Sequence, residues 1–570
     1  MKRILDELPY DNNGCITAQP HFTHSLNEAI QLYAQSRKDA LELLYRNKQL
    51  KKVSTIELEA DFEEVAASCG YFSFSLLDFA EEMKTYLEIL DDLKLEDEER
   101  PEGRTWTWLK FWHCIPFYQQ DQQAQRQWLY AYGVNADEET ALPSRMPSPA
   151  ERKAADDNEV NREPTLQQVR SHLWHTLGFF RRDDIKFAIK VGAGAALYAL
   201  PSFLATTRPF YQRWRGEWGL LSYMLVCALT LGASNTTGIA RFVGTCIGAA
   251  CAILAWTFSF NNGYLLAFYG WFMSLWTAYI IIGLGKGPMG RFIMLTYNLS
   301  ALYAWSVYVK EPSDEDEGNG LDPVITEITL HRCAAVLSGC LWGLIVTRLV
   351  WPISARQKFK DGLCVLWLRM GLVWQRDPLN MLFGGAPTHA YMDLREEFDF
   401  QVFLARLEKI RDSANHEFAL RGPFADATAG RMLKSTQAML DAFHAMNVMI
   451  SKNPRASKGE AEILKYTATE RAELCARISH LFQVLASSMK VEMPMHGPLP
   501  SVDHTRDRLL AKMFRFRQNE EGKVGATDED FELLYAYALV TGQLSKEIKD
   551  MGREVERLFG VLNEDLLKLQ

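Results

Sequence analysis

The stretch Trp218–Phe258, WGLLSYMLVCALTLGASNTTGIARFVGTCIGAACAILAWTF, has Arg241 as its one charged residue. It divides into two apolar runs, Trp218–Ser234 and Phe242–Phe258. Each is about as long as the ~17–25 residues a helix needs to cross the hydrocarbon core of a bilayer. Four more such runs flank them: Phe187–Leu204 before, then Tyr264–Leu284, Phe292–Tyr308 and Cys333–Trp351 after. The joining loops are too short to hold a soluble domain, except the acidic one near Glu311–Asp322. A soluble fold rarely needs six such spans in succession. The pattern predicts an all-α polytopic membrane protein with six transmembrane helices, flanked by cytosolic helical regions.

Whole-chain averages hide this block. The mean hydropathy is −0.15 and 23% of residues are charged, values typical of a soluble protein. Both average one apolar block with two long polar flanks. The expected organisation over 570 residues is a helical region 1–133, a linker and pre-membrane segment 134–180, a membrane domain 181–352 and a helical domain 353–570. The N-terminus, MKRILDELPYDNNG, has no apolar run after its basic residues, so the first span is expected to serve as the targeting signal. A net charge of −9 points to no nucleic-acid partner. The ten cysteines show no CxxC spacing and read as small apolar packing residues. His172 and His175 have nothing nearby to complete a metal site. GLGKGPMGR at 283–291 lacks the Lys-Ser/Thr of a phosphate loop and reads as a tight turn. No nucleophile-and-base arrangement stands out. Neither an enzyme nor a cofactor is expected.

Orientation follows from Lys and Arg. An even number of spans puts both termini on one side. That side carries Arg181, Arg182, Lys186, Arg241, Lys286, Arg291, Arg348, Arg356, Lys358 and Lys360. The other carries Arg208, Arg213, Arg215, Lys310 and Arg332. Cytosolic termini are expected, in the plasma membrane or an endomembrane. In the N-terminal flank, Leu58, Phe62, Val65, Cys69, Phe72, Leu76, Phe79, Met83, Tyr86 and Leu90 alternate by 4 and 3. This is a heptad seam over a helix at 56–95, with Ser54 and Glu57 as its capping box. Bulky Phe72, Phe79 and Tyr86 favour packing into a helical bundle over a two-stranded coiled coil. The segment RTWTWLKFWHCIPFYQQ at 104–120 fits either the membrane interface or the cytosolic helices, and 134–165 reads as a polar linker. Helices are expected at 354–374, 390–418, 427–451 and 457–489, followed by a last helix with an apolar stripe from Leu533 to Leu558.

The membrane block is cationic. From Phe187 to Lys310 it holds Lys190, Arg208, Arg213, Arg215, Arg241, Lys286, Arg291 and Lys310, against one acid, Glu217. A cation-coupled carrier usually needs a carboxylate at depth, and none lies within these spans. A positively biased pathway favours anions. Arg241 and Arg291 also fit snorkelling at helix ends, whereas Lys190 sits about one turn inside its span. Gly244 and Gly248 share a helix face and allow close helix approach. The Arg332-to-Gly339 interval repeats the Arg241-to-Gly248 interval with opposite direction of travel, as an inverted repeat would. Tyr297, Asn298 and Ser300 are polar groups at depth that need partners.

The block GEWGLLSYMLVCALTLGASNTTGIARFVGTCIGAACA resembles the fusaric acid resistance and aromatic acid exporter superfamily, through Trp218, a polar turn, then Arg241, Gly244, Thr245 and Gly248. GKGPMGRFIMLTYNLSALYAW, LVWPISARQKFKDGLCVLWLRMGLVW and ADFEEVAASCGYFSFSLLDFAEEM are similar to its fungal branch. The resemblance implies a six-span transporter module with a cytosolic helical domain. It also implies a distant likeness to plant malate channels, which share that plan and work as dimers. Bacterial relatives are associated with export of aromatic carboxylic acids. Long fungal members carry a second membrane half upstream, so this chain is expected either to pair with another copy or to be a shortened product.

The resulting expectation is a transporter or channel for organic anions, working as a homodimer in the lipid bilayer. Lys190, Arg241 and Arg291 would attract the anion, and Thr245, Tyr297 and Asn298 would offer hydrogen bonds. Gly244, Gly248 and Gly339 would pack helices. The competing class is a membrane scaffold that recruits partners through its cytosolic helices. Topology is directly testable. A tag inserted at Asp314 is expected on the extracytosolic side, and both termini are expected to resist protease in sealed right-side-out vesicles. Cleavage at both termini under those conditions would reverse the orientation.

Overall fold

The computed structural model describes residues 22–45, 55–99, 174, 182–260, 262–310, 323–380, 391–418, 422–452, 456–495, 497, 499–518 and 527–562. The tryptophan-rich segment, the linker, His172, His175, Ser54 and the acidic loop lie outside these residues. In chain order the helices are α1 (Phe22–Tyr45), α2 (Ile56–Glu99), α3 (Asp183–Phe203), α4 (Arg208–Arg213), α5 (Gly216–Val226), α6 (Leu231–Ser259), α7 (Gly263–Ile282) and α8 (Gly287–Lys310). They continue as α9 (Pro323–Leu349), α10 (Ala355–Gln375), α11 (Leu394–Asn415), α12 (Asp426–Lys452), α13 (Lys458–Val491), α14 (Asp503–Gln518) and α15 (Glu532–Phe559). Among the described residues the only strand-like pairing is an isolated bridge between Met495 and Val561. The chain divides into two compact units, one of residues 1–142, 367–401 and 434–570, the other of 143–366 and 402–433.

The second unit holds the apolar block. α6 packs against α8, α9 and α5, α7 lies on α8, and α3 on α5 and α9. Three described segments are long and apolar enough to cross a membrane: α6, α7 and Thr329–Leu349 of α9. Their outward residues are apolar, including Ile239, Phe242, Phe258, Trp271 and Phe272, as a lipid-facing surface requires. α3 carries Asp183, Asp184, Lys186 and Lys190, and α8 carries Thr296, Asn298 and Ser300, which makes both more polar.

The second of the six expected spans is not one helix. α5 has 11 residues, ~16 Å of rise against a core ~30 Å thick. The chain is extended at Cys227 and helical again from Leu231. The polar run Ser234–Thr237, expected as a turn, lies inside α6. Thr236 Oγ1 donates to Gly232 O at 2.9 Å. Ser234 Oγ accepts from Ala228 N at 3.0 Å and donates to Ala228 O at 3.3 Å. Local backbone groups thus satisfy these hydroxyls, and the helix continues through them.

In the first unit the apolar stripe of α15 is buried from Leu533 through Val555. Trp374 stacks on Tyr537 with ring centroids 5.9 Å apart. Arg471, fully buried, donates to both carboxylate oxygens of Asp377 at 3.1 and 3.0 Å and to Leu464 O. α14, which the sequence pattern did not mark, packs with α15 against α2. They take mainly the small-residue face of α2, where Ala60, Ala66, Ala67 and Gly70 are buried, and of its heptad seam they meet Phe62, whose ring lies 5.7 Å from that of Phe514. Arg515 Nε donates to Glu59 at 2.8 Å, Tyr535 Oη to Glu63 at 3.2 Å, and Arg506 pairs with Glu64. The acids and the small side chains together explain why this face wins. Leu58, Val65, Phe72, Phe79 and Tyr86 of the seam stay exposed, and the coiled-coil pairing has no counterpart among the described residues.

Glu532 opens α15 near Asp78, Arg37, Glu460 and Lys452. Burial, then the neighbouring Asp78, pushes its carboxyl up to about 7. An unfolded chain titrates this group near ~4.3, so folding takes up a proton between those values. The stability contribution is therefore lost as pH rises through that window. Glu532→Gln is expected to raise the unfolding temperature at pH 8 and leave it unchanged at pH 4. An equal shift at both would remove protonation as the cause.

Candidate functional site

The site begins with where α6 starts. Its first residue is Leu231, ten positions before Arg241. At 1.5 Å per residue Arg241 lies ~15 Å inside the helix, not at its end as the sequence boundary implied. Leu231 N donates to Ile353 O at 3.1 Å. Gly232 lies so close to Ser413 that a Cβ would sit 1.7 Å from its carbonyl oxygen. The start of α6 is therefore held against the segments that follow α9.

One face of α6 carries Arg241, Gly244, Thr245 and Gly248, all buried. The glycines bring α8 close. A Cβ on Gly244 would lie 2.8 Å from Phe292 Cβ, and one on Gly248 would lie 2.6 Å from Ile293 O. Arg241, 2% exposed, has its Cζ 4.7 Å from the Phe292 ring centroid. Its Nη2 donates to Ser222 Oγ of α5 at 3.3 Å. Its Nε and Nη1 have no partner, and neither has Thr245 Oγ1 one turn on. A desolvated cation–π contact contributes ~2 kcal/mol, whereas each buried unsatisfied donor costs ~1–3 kcal/mol, more when charged. The ring does not replace the missing acceptors. The described acids of α3–α9 are Asp183, Asp184, Glu217 and Glu327, and none is buried.

The other expected residues fall in three places. Lys190, 3% exposed, lies on α3 within electrostatic reach of Cys227, where α5 ends. Tyr223 Oη donates to Val191 O at 3.0 Å and fastens α3 to α5 there. Tyr297 and Asn298 line a cavity of about 850 Å³ between α7 and α8, with Leu266, Gly270 and Trp305. Tyr297 is buried and its hydroxyl has no partner. Arg291 is exposed in the first turns of α8. Arg241 and Thr245 thus share one face, while Tyr297 lies near Gly248, two turns away along α6. Gly339 of α9 packs on α5, where a Cβ would lie 2.0 Å from Gly219 O.

Sequence reasoning missed Ser222 and Tyr223, which sit in an unremarkable apolar run. It named Arg332 but put it at a helix end. α9 begins at Pro323, nine residues earlier, and proline at a first helical position was the available signal. Arg332 is buried, and its Cζ lies 4.6 Å from the Tyr303 ring centroid and 5.1 Å from that of Trp218. α6 starts beside the end of α9, so the two arginines enter the bundle from opposite ends. Cys340, eight residues beyond Arg332, is within electrostatic reach of Arg241, which separates them by ~12 Å along the axis.

Residues 197–346 match the family described as fusaric acid resistance protein-like. The match supports that superfamily for the apolar block, and together with the long apolar helices it fits an integral membrane protein. No curated protein matches the chain. The packing makes one sharp contrast. Gly248→Val must push α8 away and is expected to cost about 1–3 kcal/mol, read as a lower unfolding temperature in mild detergent. A Cβ on Gly192 would meet nothing within 4 Å, and Gly192→Ala, which only removes a helix-interior glycine, is expected not to lower that temperature. Equal behaviour of the two variants would contradict the close α6–α8 approach.

Proposed function

We propose, from the match of residues 197–346 to the fusaric acid resistance-like family, that this chain moves organic carboxylate anions, aromatic ones above all, across a membrane. One observation carries the reading. The guanidinium of Arg241 is buried in a core whose described residues include no carboxylate, with Nε and Nη1 unpartnered. Nη2 carries two hydrogens and gives one to Ser222, so paired with Nε or with Nη1 it still offers a planar edge that takes a carboxylate in two-pronged fashion. Thr245, one turn further on the same face, offers a hydroxyl to the bound anion. Lys190 supplies a second cation beside the end of α5. Exposed Arg291 draws anions toward its end of the bundle. The groove lined by Tyr297 and Asn298 accommodates an aromatic body. A homodimer fits this plan, because one such unit has few helices with which to surround a solute. A scaffold reading draws support from the outward seam of α2, whose exposed apolar side chains would suit a partner helix.

Anion flux into proteoliposomes separates these readings. Purified full-length chain is expected to carry benzoate. Lys190→Gln removes a cation while keeping much of the side-chain length, and is expected to lower flux about tenfold at matched protein amount. Arg241→Lys keeps charge but not the fork, and is expected to weaken apparent affinity by about tenfold. Glu217→Gln, at an exposed acid, leaves flux unchanged. Unchanged flux in both basic-site variants would return Lys190 and Arg241 to structural roles. Absence of any anion flux by the wild-type chain would favour the scaffold.

A further inference from the structure

At the end of the bundle where α5 begins, two arginines converge on one tyrosine. Arg215 stands at the N-cap of α5 with φ 50 and ψ 50, a left-handed conformation that costs a non-glycine residue free energy. Its Nη2 donates to Tyr303 Oη at 2.6 Å, and its Cζ lies 4.7 Å from the ring centroid. Arg332 lies 4.6 Å from the same centroid and donates to Leu299 O. Its Nε is buried without a partner. The two cations are within electrostatic reach of each other. No carboxylate pairs with either among the described residues. Glu217 is exposed, and Glu327 faces His331 at 3.9 Å.

We propose that Arg215 and Arg332 form a second anion site, selective for a carboxylate that carries a planar ring. Like charges gathered on one ring repel, and a bound anion turns that repulsion into two attractions. The guanidinium fork suits a carboxylate better than a spherical ion. The rings of Trp218 and Tyr303 carry the arginines over their faces, so a ring on the bound carboxylate would meet their edges. The first turn of α5 opens beside Arg215, so the positive end of the helix dipole adds potential there. The site lies ~12 Å from Arg241 along the bundle. It requires binding only and stands whether or not the chain transports.

The test is calorimetric titration of the full chain in lipid nanodiscs with benzoate. The expected result is two classes of site in the wild type. Arg215→Gln is expected to weaken one class by at least about tenfold and leave the other within about twofold. Arg215→Lys, which keeps the charge, is expected to fall between Arg215→Gln and the wild type. Arg241→Gln is expected to spare the class that Arg215→Gln weakens. Thermal unfolding of each variant checks that it is folded, and Arg215, half-buried at a helix end, tolerates replacement better than Arg332. Benzoate binding in folded Arg215→Gln that matches the wild type within about twofold would overturn the proposal. So would Arg215→Lys as weak as Arg215→Gln, or chloride that competes as well as benzoate. Loss of flux with both classes intact would count against transport and leave this site standing.

Discussion

A guanidinium enclosed by three apolar helices without a counter-charge is the constraint around which the membrane block is arranged. Placing an arginine at the centre of a membrane helix costs at least ~2.5–3.5 kcal/mol on insertion scales. The chain offsets part of that with the Phe292 ring and the Ser222 hydroxyl. Both partners depend on close approach. Gly244 and Gly248 let α8 bring Phe292 over Arg241, and the Gly219–Gly339 contact lets α9 lie directly on α5, which carries Ser222. Larger side chains at these positions would move the ring or the hydroxyl away. Two guanidinium donors remain without acceptors, and the proposed anion site rests on that unmet demand.

The interruption of α5 belongs to the same arrangement. An unbroken second span would have continued past Val226 and placed the α6 start elsewhere. Instead Ser234 seals the gap through Ala228, and α6 begins early enough to carry Arg241 to depth. Arg332 reaches a matching depth from the opposite end, because α9 also begins well before its arginine. Two halves of opposite direction, each delivering one arginine to the interior, are what an inverted repeat produces.

Much of this was legible in the sequence. The long apolar runs identified α6, α7 and α9, because lipid-facing helices are apolar almost all round. The stripe from Leu533 to Val555 identified α15, since its period matches one buried face. That Gly244 and Gly248 share a face followed from spacing, and Arg241 and Thr245 were joined to them through the family resemblance. What failed were judgements about ends and partners. Ser234–Thr237 looked like a turn because hydroxyl and amide residues usually mark one, yet in α6 their hydrogen bonds go to nearby backbone. The heptad seam of α2 was expected to pack, yet Leu58, Val65, Phe72, Phe79 and Tyr86 stay exposed. Which face would be buried depended on Arg506, Arg515 and Tyr535, hundreds of residues away. Tyr303 between two arginines had no sequence signal at all, because α5, α8 and α9 each contribute one part.

The central claim is that the free edge of Arg241 receives a carboxylate. Electron cryomicroscopy of the full chain in lipid nanodiscs saturated with benzoate tests it most directly. The predicted result is density for a carboxylate within hydrogen-bonding distance of Arg241 Nη2 and one of its unpartnered neighbours, Nε or Nη1, flanked by Thr245, in a core that otherwise keeps its packing. Arg241 satisfied instead by a carboxylate or carbonyl of the chain itself, with no anion density at that edge, would contradict it.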